Sequence, residues 1–146
     1  AEYGEPHVVV KLPLTEAGIR AAAKLRAEES DDNHVKLCMT ACYAANQSLI
    51  AAGLDAEYIA PYLGRMGDLG MDGLQQCTDS QTVVEGLDSG TRILVASFRS
   101  AEQLMTLASR GLDTFTFSPK ICDELLRNEN TDRAAADFER AAAGAA

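Results

Sequence analysis

A lysine stands at position 11 where the residues before it call for something apolar. Val8, Val9 and Val10 form a β-branched run, and Pro13, which has no N–H for a ladder, ends it. At the carboxyl end of a strand buried on both faces, desolvation disfavours the ammonium form and leaves an amine able to attack carbonyl carbon. The alternative is a lysine whose stem packs while its head reaches water. Polar residues recur at later strand ends: Thr40, then Tyr62 with Arg65, then Ser97 with Arg99. In a chain of net charge −9, any anion site has to be made locally by a few arginines. Taken alone, Arg65 and Arg99 read as members of surface ion pairs.

Composition bounds the function classes. The 146 residues (15.6 kDa, 47% hydrophobic and 24% charged) are expected to form one domain spanning residues 1–146, with a sizeable core. The acidic balance, with no basic stripe or aromatic platform, argues against nucleic acid as a partner. Cys38, Cys42, Cys77 and Cys122 lack C-x-x-C spacing and only His7 and His34 could assist them. They read as reduced, mostly buried thiols of an intracellular protein, with no metal site. The sequon Asn46-Gln47-Ser48 falls in a helix-like segment without secretory context. No run approaches membrane-spanning length and no signal peptide is visible, so no membrane insertion is expected. The expected location is the cytoplasm, or a plastid or other organelle if a transit peptide has been removed.

The elements that must position these residues alternate. Strands are expected near 8–12, 34–40, 58–61, 92–96 and 114–117, and helices near 16–29, 44–52, 80–87, 100–110 and from Ser118. Thr15 suits an N-cap, Ser100 with Gln103 has capping-box spacing, and Ser118-Pro119 is a cap followed by a first-turn proline. Gly64–Gly73 reads as a glycine-rich loop, and Phe138 as the residue anchoring a final alanine-rich helix from Thr131 onto the body. Units of roughly 25–30 residues of strand and helix imply right-handed crossovers and a parallel sheet of about five strands with outer helices. The expected fold is α/β, of the (β/α)8 TIM-barrel type and here a partial barrel, whose active sites lie at the carboxyl ends of the strands. No G-x-G-x-x-G follows a strand, so a dinucleotide site has no support, and no cofactor is expected.

The same stretches resemble the transaldolase family, which includes the fructose-6-phosphate aldolases. Val8–Thr15 (VVVKLPLT) is similar to the strand carrying the Schiff-base lysine, and Glu16-Ala17-Gly18 continues its T-x-x-G start. Ala60–Arg65 (APYLGR) resembles the S/A-P-F/Y-V-G-R segment, and Ile93–Arg99 (ILVASFR) the A-S-F-R/K strand and phosphate loop. Asp113–Pro119 (DTFTFSP) resembles the last strand, and Thr131–Arg140 the C-terminal T-x-x-A-x-x-x-F-E helix. Five motifs in register are far more specific than any one of them.

The resemblance implies sugar-phosphate substrates of the fructose 6-phosphate class and transfer or cleavage of a three-carbon dihydroxyacetone unit, as in carbohydrate metabolism by the pentose phosphate route. Lys11 would form the Schiff base and Thr40 would position water. Tyr62, tyrosine in aldolase-type members and usually phenylalanine in transaldolases, would handle a proton. Arg65, Ser97 and Arg99 would clamp the phosphate. Family members are complete eight-stranded barrels, whereas this sequence matches the last five strand–helix units. The front portion, with its acid/base aspartate, T-N-P-S segment and glutamate or glutamine, has no counterpart here. Two edge strands left unpaired leave open a chain that is part of a longer gene product, and a homo-oligomer or a partner chain completing the barrel. They also keep open a catalytically impaired chain acting as a structural or interaction subunit.

Overall fold

The computed structural model describes residues 8–30 and 34–144. The segment 1–7, with His7, and most of the polar turn at 30–33 lie outside the described residues. Five parallel strands form one sheet in chain order: β1 (Val9–Pro13), β2 (Lys36–Cys42), β3 (Tyr58–Pro61), β4 (Arg92–Val95) and β5 (Thr114–Phe115). The connections are helices: α1 (Glu16–Ala27), α2 (Gln47–Gly53), α3 (Leu63–Asp68) with α4 (Gly73–Gly86), and α5 (Ala101–Ser109). Two more, α6 (Pro119–Leu126) and α7 (Glu129–Gly144), follow the last strand. This is the α/β, partial-barrel architecture expected from the alternation of elements.

The two faces of the sheet divide the residues by parity. Leu37, Met39, Ile59, Ile93 and Val95 point outward and are at most 2% exposed, packed in one core with Ala22, Met66, Cys77 and Leu107 from the helices. The inner face carries Val9, Lys11, Cys38, Tyr58, Leu94 and Thr114, which line a cavity of ≈ 320 Å³. At the amino ends of the strands, Glu57 ties the layers together. It accepts the Leu37 N–H at 2.5 Å and pairs with Arg26 at 3.1 Å and with His34 at 2.8 Å. Arg26 also donates to the carbonyls of Val35, Leu54 and Asp55.

Local chemistry explains the boundaries. Thr15 caps α1 by accepting the Gly18 N–H at 3.2 Å. A Cβ on Gly18 would fall 1.8 Å from the Pro13 carbonyl oxygen, so only glycine lets the helix leave the strand so tightly. Ser100 caps α5 through the Gln103 N–H at 3.4 Å. Ser118 occupies the N-cap of α6 but makes no side-chain cap bond.

Four expectations change. The second strand starts at Lys36 rather than His34 and runs on to Cys42, bulging between Thr40 and Cys42. Its helix starts at Gln47 rather than Ala44, because the Tyr43 and Ala44 N–H groups bond the Gln47 side chain and the Ala45 N–H bonds that of Gln76. The glycine-rich stretch is helical except for a turn at 69–72. Leu63 and Met66 bury one side of α3 against α4, and α4, capped by Asp72, starts at Gly73, seven residues before the expected helix start at Ser80. Burial outweighs the low helix propensity of glycine there. Finally, Phe138 is 76% exposed and no residue of α7 is buried, so this helix is not anchored on the body. Alanines around Phe138 favour helix but offer little area to bury.

Candidate active site

Of the residues singled out from the sequence, Thr40 and Tyr62 meet near the carboxyl ends of the strands, and Arg65, Ser97 and Arg99 lie just beyond them. Lys11 shares the inward face of Thr40 and Tyr62 but sits mid-strand, opposite Cys38. They form two groups, of which the first comprises Lys11, Thr40 and Tyr62. Register places Lys11 opposite Cys38 and Pro13 opposite Thr40, so Thr40 sits one inward-facing position above Cys38, the residue paired with Lys11. Tyr62 continues the inward parity of Tyr58 and Ala60 and bridges to Ala96 of the next strand. The Thr40 hydroxyl lies 3.0 Å from the Tyr62 hydroxyl, joining adjacent strands by a hydrogen bond. The Tyr62 ring is held on two sides, by the edge-on ring of Tyr43 at 5.9 Å and 75° and by the Arg65 guanidinium 4.8 Å from its centroid.

Lys11 departs from the reading made of its stretch. It is the third of five residues in β1, an outer strand of the sheet among the described residues, and it is exposed rather than enclosed. Its neighbour Cys38 is 1% exposed. Burial pushes the Cys38 thiol above its ordinary range, with the Lys11 charge opposing. Burial raises Cys42 and Cys77 further, each to about 12, with Cys38 adding to the rise at Cys42. These three are free, buried thiols and Cys122 is half-buried, in line with the reading of reduced, mostly buried cysteines.

The second group comprises Arg65, Ser97 and Arg99. Two backbone bonds dock the turn after β3 onto the turn after β4: Leu63 N–H to the Ala96 carbonyl at 3.0 Å and Gly64 N–H to the Ser97 carbonyl at 2.8 Å. Arg99 lies directly across this junction. A Cβ on Gly64 would stand 2.1 Å from the Ser97 carbonyl oxygen and 2.8 Å from Arg99 Nε. Gly64 is therefore what brings Arg65, Ser97 and Arg99 into one neighbourhood. Ser97 takes φ 67°, and Ala41, next to Thr40, takes φ 58°. Non-glycine residues in this region are sparse; the other two among the described residues, Asp55 and Asp88, lie in turns after helices, away from this end of the sheet. Arg99 is held by Asp68 at 2.5 Å, and its N–H by the Gln103 side chain at 2.9 Å. Arg65 is exposed, and none of the ion pairs among the described residues involves it.

Sequence reasoning missed Tyr43, Asp68 and the close approach at Gly64. The signal for Gly64 was present, a glycine between a strand end and an arginine, but was absorbed into the loop reading. Tyr43 and Asp68 act through contacts that spacing along the chain does not reveal. Among the described residues no group of three or more His, Cys, Asp or Glu could hold a metal ion, and no helix is long and apolar enough to cross a membrane.

A parallel sheet in chain order with helices between its strands, two coupled hydroxyls at its carboxyl end and a pair of arginines just beyond is the layout of a β/α barrel. The chain belongs to the transaldolase/fructose-6-phosphate aldolase family, whose model matches residues 1–145. It is 38% identical over 127 residues to a probable transaldolase of Maricaulis maris, covering 87% of this chain and 56% of that one. A probable transaldolase of Caulobacter vibrioides is 35% identical over 133 residues (91% and 59%), and one of Roseobacter denitrificans 35% identical over 138 (94% and 61%). The chain thus spans 56–61% of the length of these relatives. Among solved structures, mandelate oxidase with benzoyl-formic acid superposes at a TM-score of 0.50 and 17% identity, over 68% of this chain and 28% of that one. This last is a likeness of fold alone.

Proposed function

We propose that this chain carries the Schiff-base half of a transaldolase-type reaction on sugar phosphates. What supports it most is membership of this family, together with the shared inward parity of Lys11, Thr40 and Tyr62 and the docking of the Arg65 turn onto the Ser97–Arg99 turn. The Lys11 amine attacks the ketose carbonyl carbon to give a carbinolamine, which loses water to give an imine. The protonated imine draws in the electron pair of the C3–C4 bond as the C4 hydroxyl passes its proton to a water molecule. An aldose phosphate leaves, and a three-carbon enamine stays on Lys11. The enamine then adds to the carbonyl carbon of a second aldose phosphate or takes up a proton. In either case water hydrolyses the resulting imine, releasing the ketose and regenerating the amine. The hydroxyl pair Thr40–Tyr62 suits the water and proton traffic of imine formation. Arg65, Ser97 and Arg99 suit a phosphate dianion, arginine giving two parallel charge-assisted bonds.

Release of aldose phosphate from fructose 6-phosphate, compared between wild type and Lys11→Ala, tests the reading. Activity lost with the lysine supports it, and equal turnover by a folded Lys11→Ala sample overturns it. A second reading, a structural or interaction subunit, is favoured by the exposure of α7, none of whose residues is buried. Light scattering tests this second reading: it requires an oligomer or a bound partner, and a stable monomer contradicts it.

A further inference from the structure

We propose that Arg65 reports occupancy of the anion end of the site to Tyr62, so that a substrate's phosphate changes the setting of the hydroxyl pair near the reacting lysine. The inference rests on the phosphate reading given above and goes beyond it by making Arg65 a positioning residue as well as a ligand.

The geometry that carries it is compact. Tyr62 is the N-cap residue of α3 and Arg65 is three residues on, so they share the first turn of one helix. The guanidinium lies over the ring at 4.8 Å, while the ring's hydroxyl is bonded to Thr40 at 3.0 Å and Tyr43 meets it edge-on. One side chain therefore faces both groups of the site.

The two arginines are not equivalent. Arg99 is neutralised by Asp68 at 2.5 Å, whereas Arg65 has the Tyr62 ring in place of a carboxylate. An arriving dianion meets Arg65 as the uncompensated cation. A bidentate charge-assisted bond is stronger than an exposed cation–π contact, so the dianion draws the guanidinium off the ring. Tyr62 then has one fewer constraint, and its hydroxyl can reorient from Thr40 toward the reacting atoms. A sugar without phosphate leaves Arg65 on the ring and Tyr62 in its resting position. Discrimination between phosphorylated and plain sugars then arises in how the proton-handling group is set, in addition to binding.

The protein has no tryptophan and four tyrosines, so its emission reports tyrosine surroundings directly. The experiment is a titration with inorganic phosphate at constant ionic strength, followed in parallel by tyrosine emission and calorimetry. Wild type is expected to show a saturable emission change with the calorimetric midpoint. At phosphate concentrations that calorimetry shows to be saturating for each variant, the change should vanish in Tyr62→Phe and persist in Tyr58→Phe. In Arg65→Lys, which keeps the charge and loses the planar stack, binding should weaken by about tenfold and the emission change should be lost. Calorimetric binding with no emission change overturns the coupling and leaves the phosphate site standing. An emission change that survives in Tyr62→Phe also overturns it. No calorimetric binding to folded wild type removes the site and the coupling together.

Discussion

Replacing Gly64 by alanine should unfasten the anion end of the site while leaving the sheet in place. The added Cβ would stand 2.1 Å from the Ser97 carbonyl oxygen, 2.8 Å from Arg99 Nε and 3.1 Å from Arg99 Cγ. The nearest atom is backbone, so rotation of a side chain cannot make room. The turn must move off its neighbour, stretching the bonds from Leu63 and Gly64 N–H to the Ala96 and Ser97 carbonyls. Overpacking costs about 1–3 kcal/mol and each lost hydrogen bond about 1 kcal/mol, against a helix-propensity gain of at most about 1 kcal/mol. The net loss is about 2–4 kcal/mol, and at roughly 2–4 °C per kcal/mol for chains near this size the Tm falls by about 5–15 °C. Gly67, in the same helix with nothing within 4 Å of its added Cβ, is the control. Gly67→Ala should be neutral or more stable by up to about 1 kcal/mol. Thermal unfolding of both variants, with calorimetric phosphate titration of the folded samples, decides the matter. A Gly64→Ala protein as stable as wild type and binding phosphate equally well would refute the argument that this contact assembles the arginines.

Two further predictions concern other parts of the molecule. Native protein near neutral pH should show one rapidly reacting thiol, Cys122, because Cys38, Cys42 and Cys77 are buried and held protonated. All four should react in denaturant, and three fast thiols in the native state would contradict the packing. At the opposite end of the strands, burial pushes the Glu57 carboxyl up, but the Leu37 N–H, His34 and Arg26 outweigh it and hold the group below the usual carboxylate range. Its contribution is therefore complete above the unfolded value of roughly 4.3 and disappears as pH falls through the lower folded value. Glu57→Gln should cost about 1.5–3 kcal/mol at neutral pH, the worth of hydrogen bonds to a charged group. That loss should shrink as urea titrations are repeated toward pH ~3; a loss independent of pH would assign it to packing instead.

What the residues disclosed, and what they withheld, follows from the range of the forces involved. The β-branched run before Lys11, the apolar Ile93-Leu94-Val95 and the caps at Thr15 and Ser100 are local signals, and each became the expected element. The placing of Lys11, Thr40 and Tyr62 on one face followed from strand parity once the strands were found. Whether Lys11 would be enclosed was not local, because it depends on which strands flank β1. The pairing of Arg99 with Asp68, 31 residues apart, was hidden for the same reason. In α3 the glycines argued for a loop, and only the burial of Leu63 and Met66 reverses that reading. Phe138 was misread in the opposite direction: an aromatic on a helix suggests a core contact, yet alanine neighbours supply too little apolar area to hold α7 down.

The central claim is that Lys11 is the nucleophile of a site that recognises sugar phosphates. Its most direct test is intact mass and peptide mapping after incubation with fructose 6-phosphate and sodium borohydride. The reagent reduces an imine to a stable amine and so records the intermediate without requiring turnover. The account predicts a single sugar-derived adduct on Lys11, absent from Lys11→Ala and diminished by competing inorganic phosphate. A folded sample with no adduct, beside a transaldolase that labels under the same conditions, would contradict it, as would labelling spread over Lys24, Lys36 and Lys120.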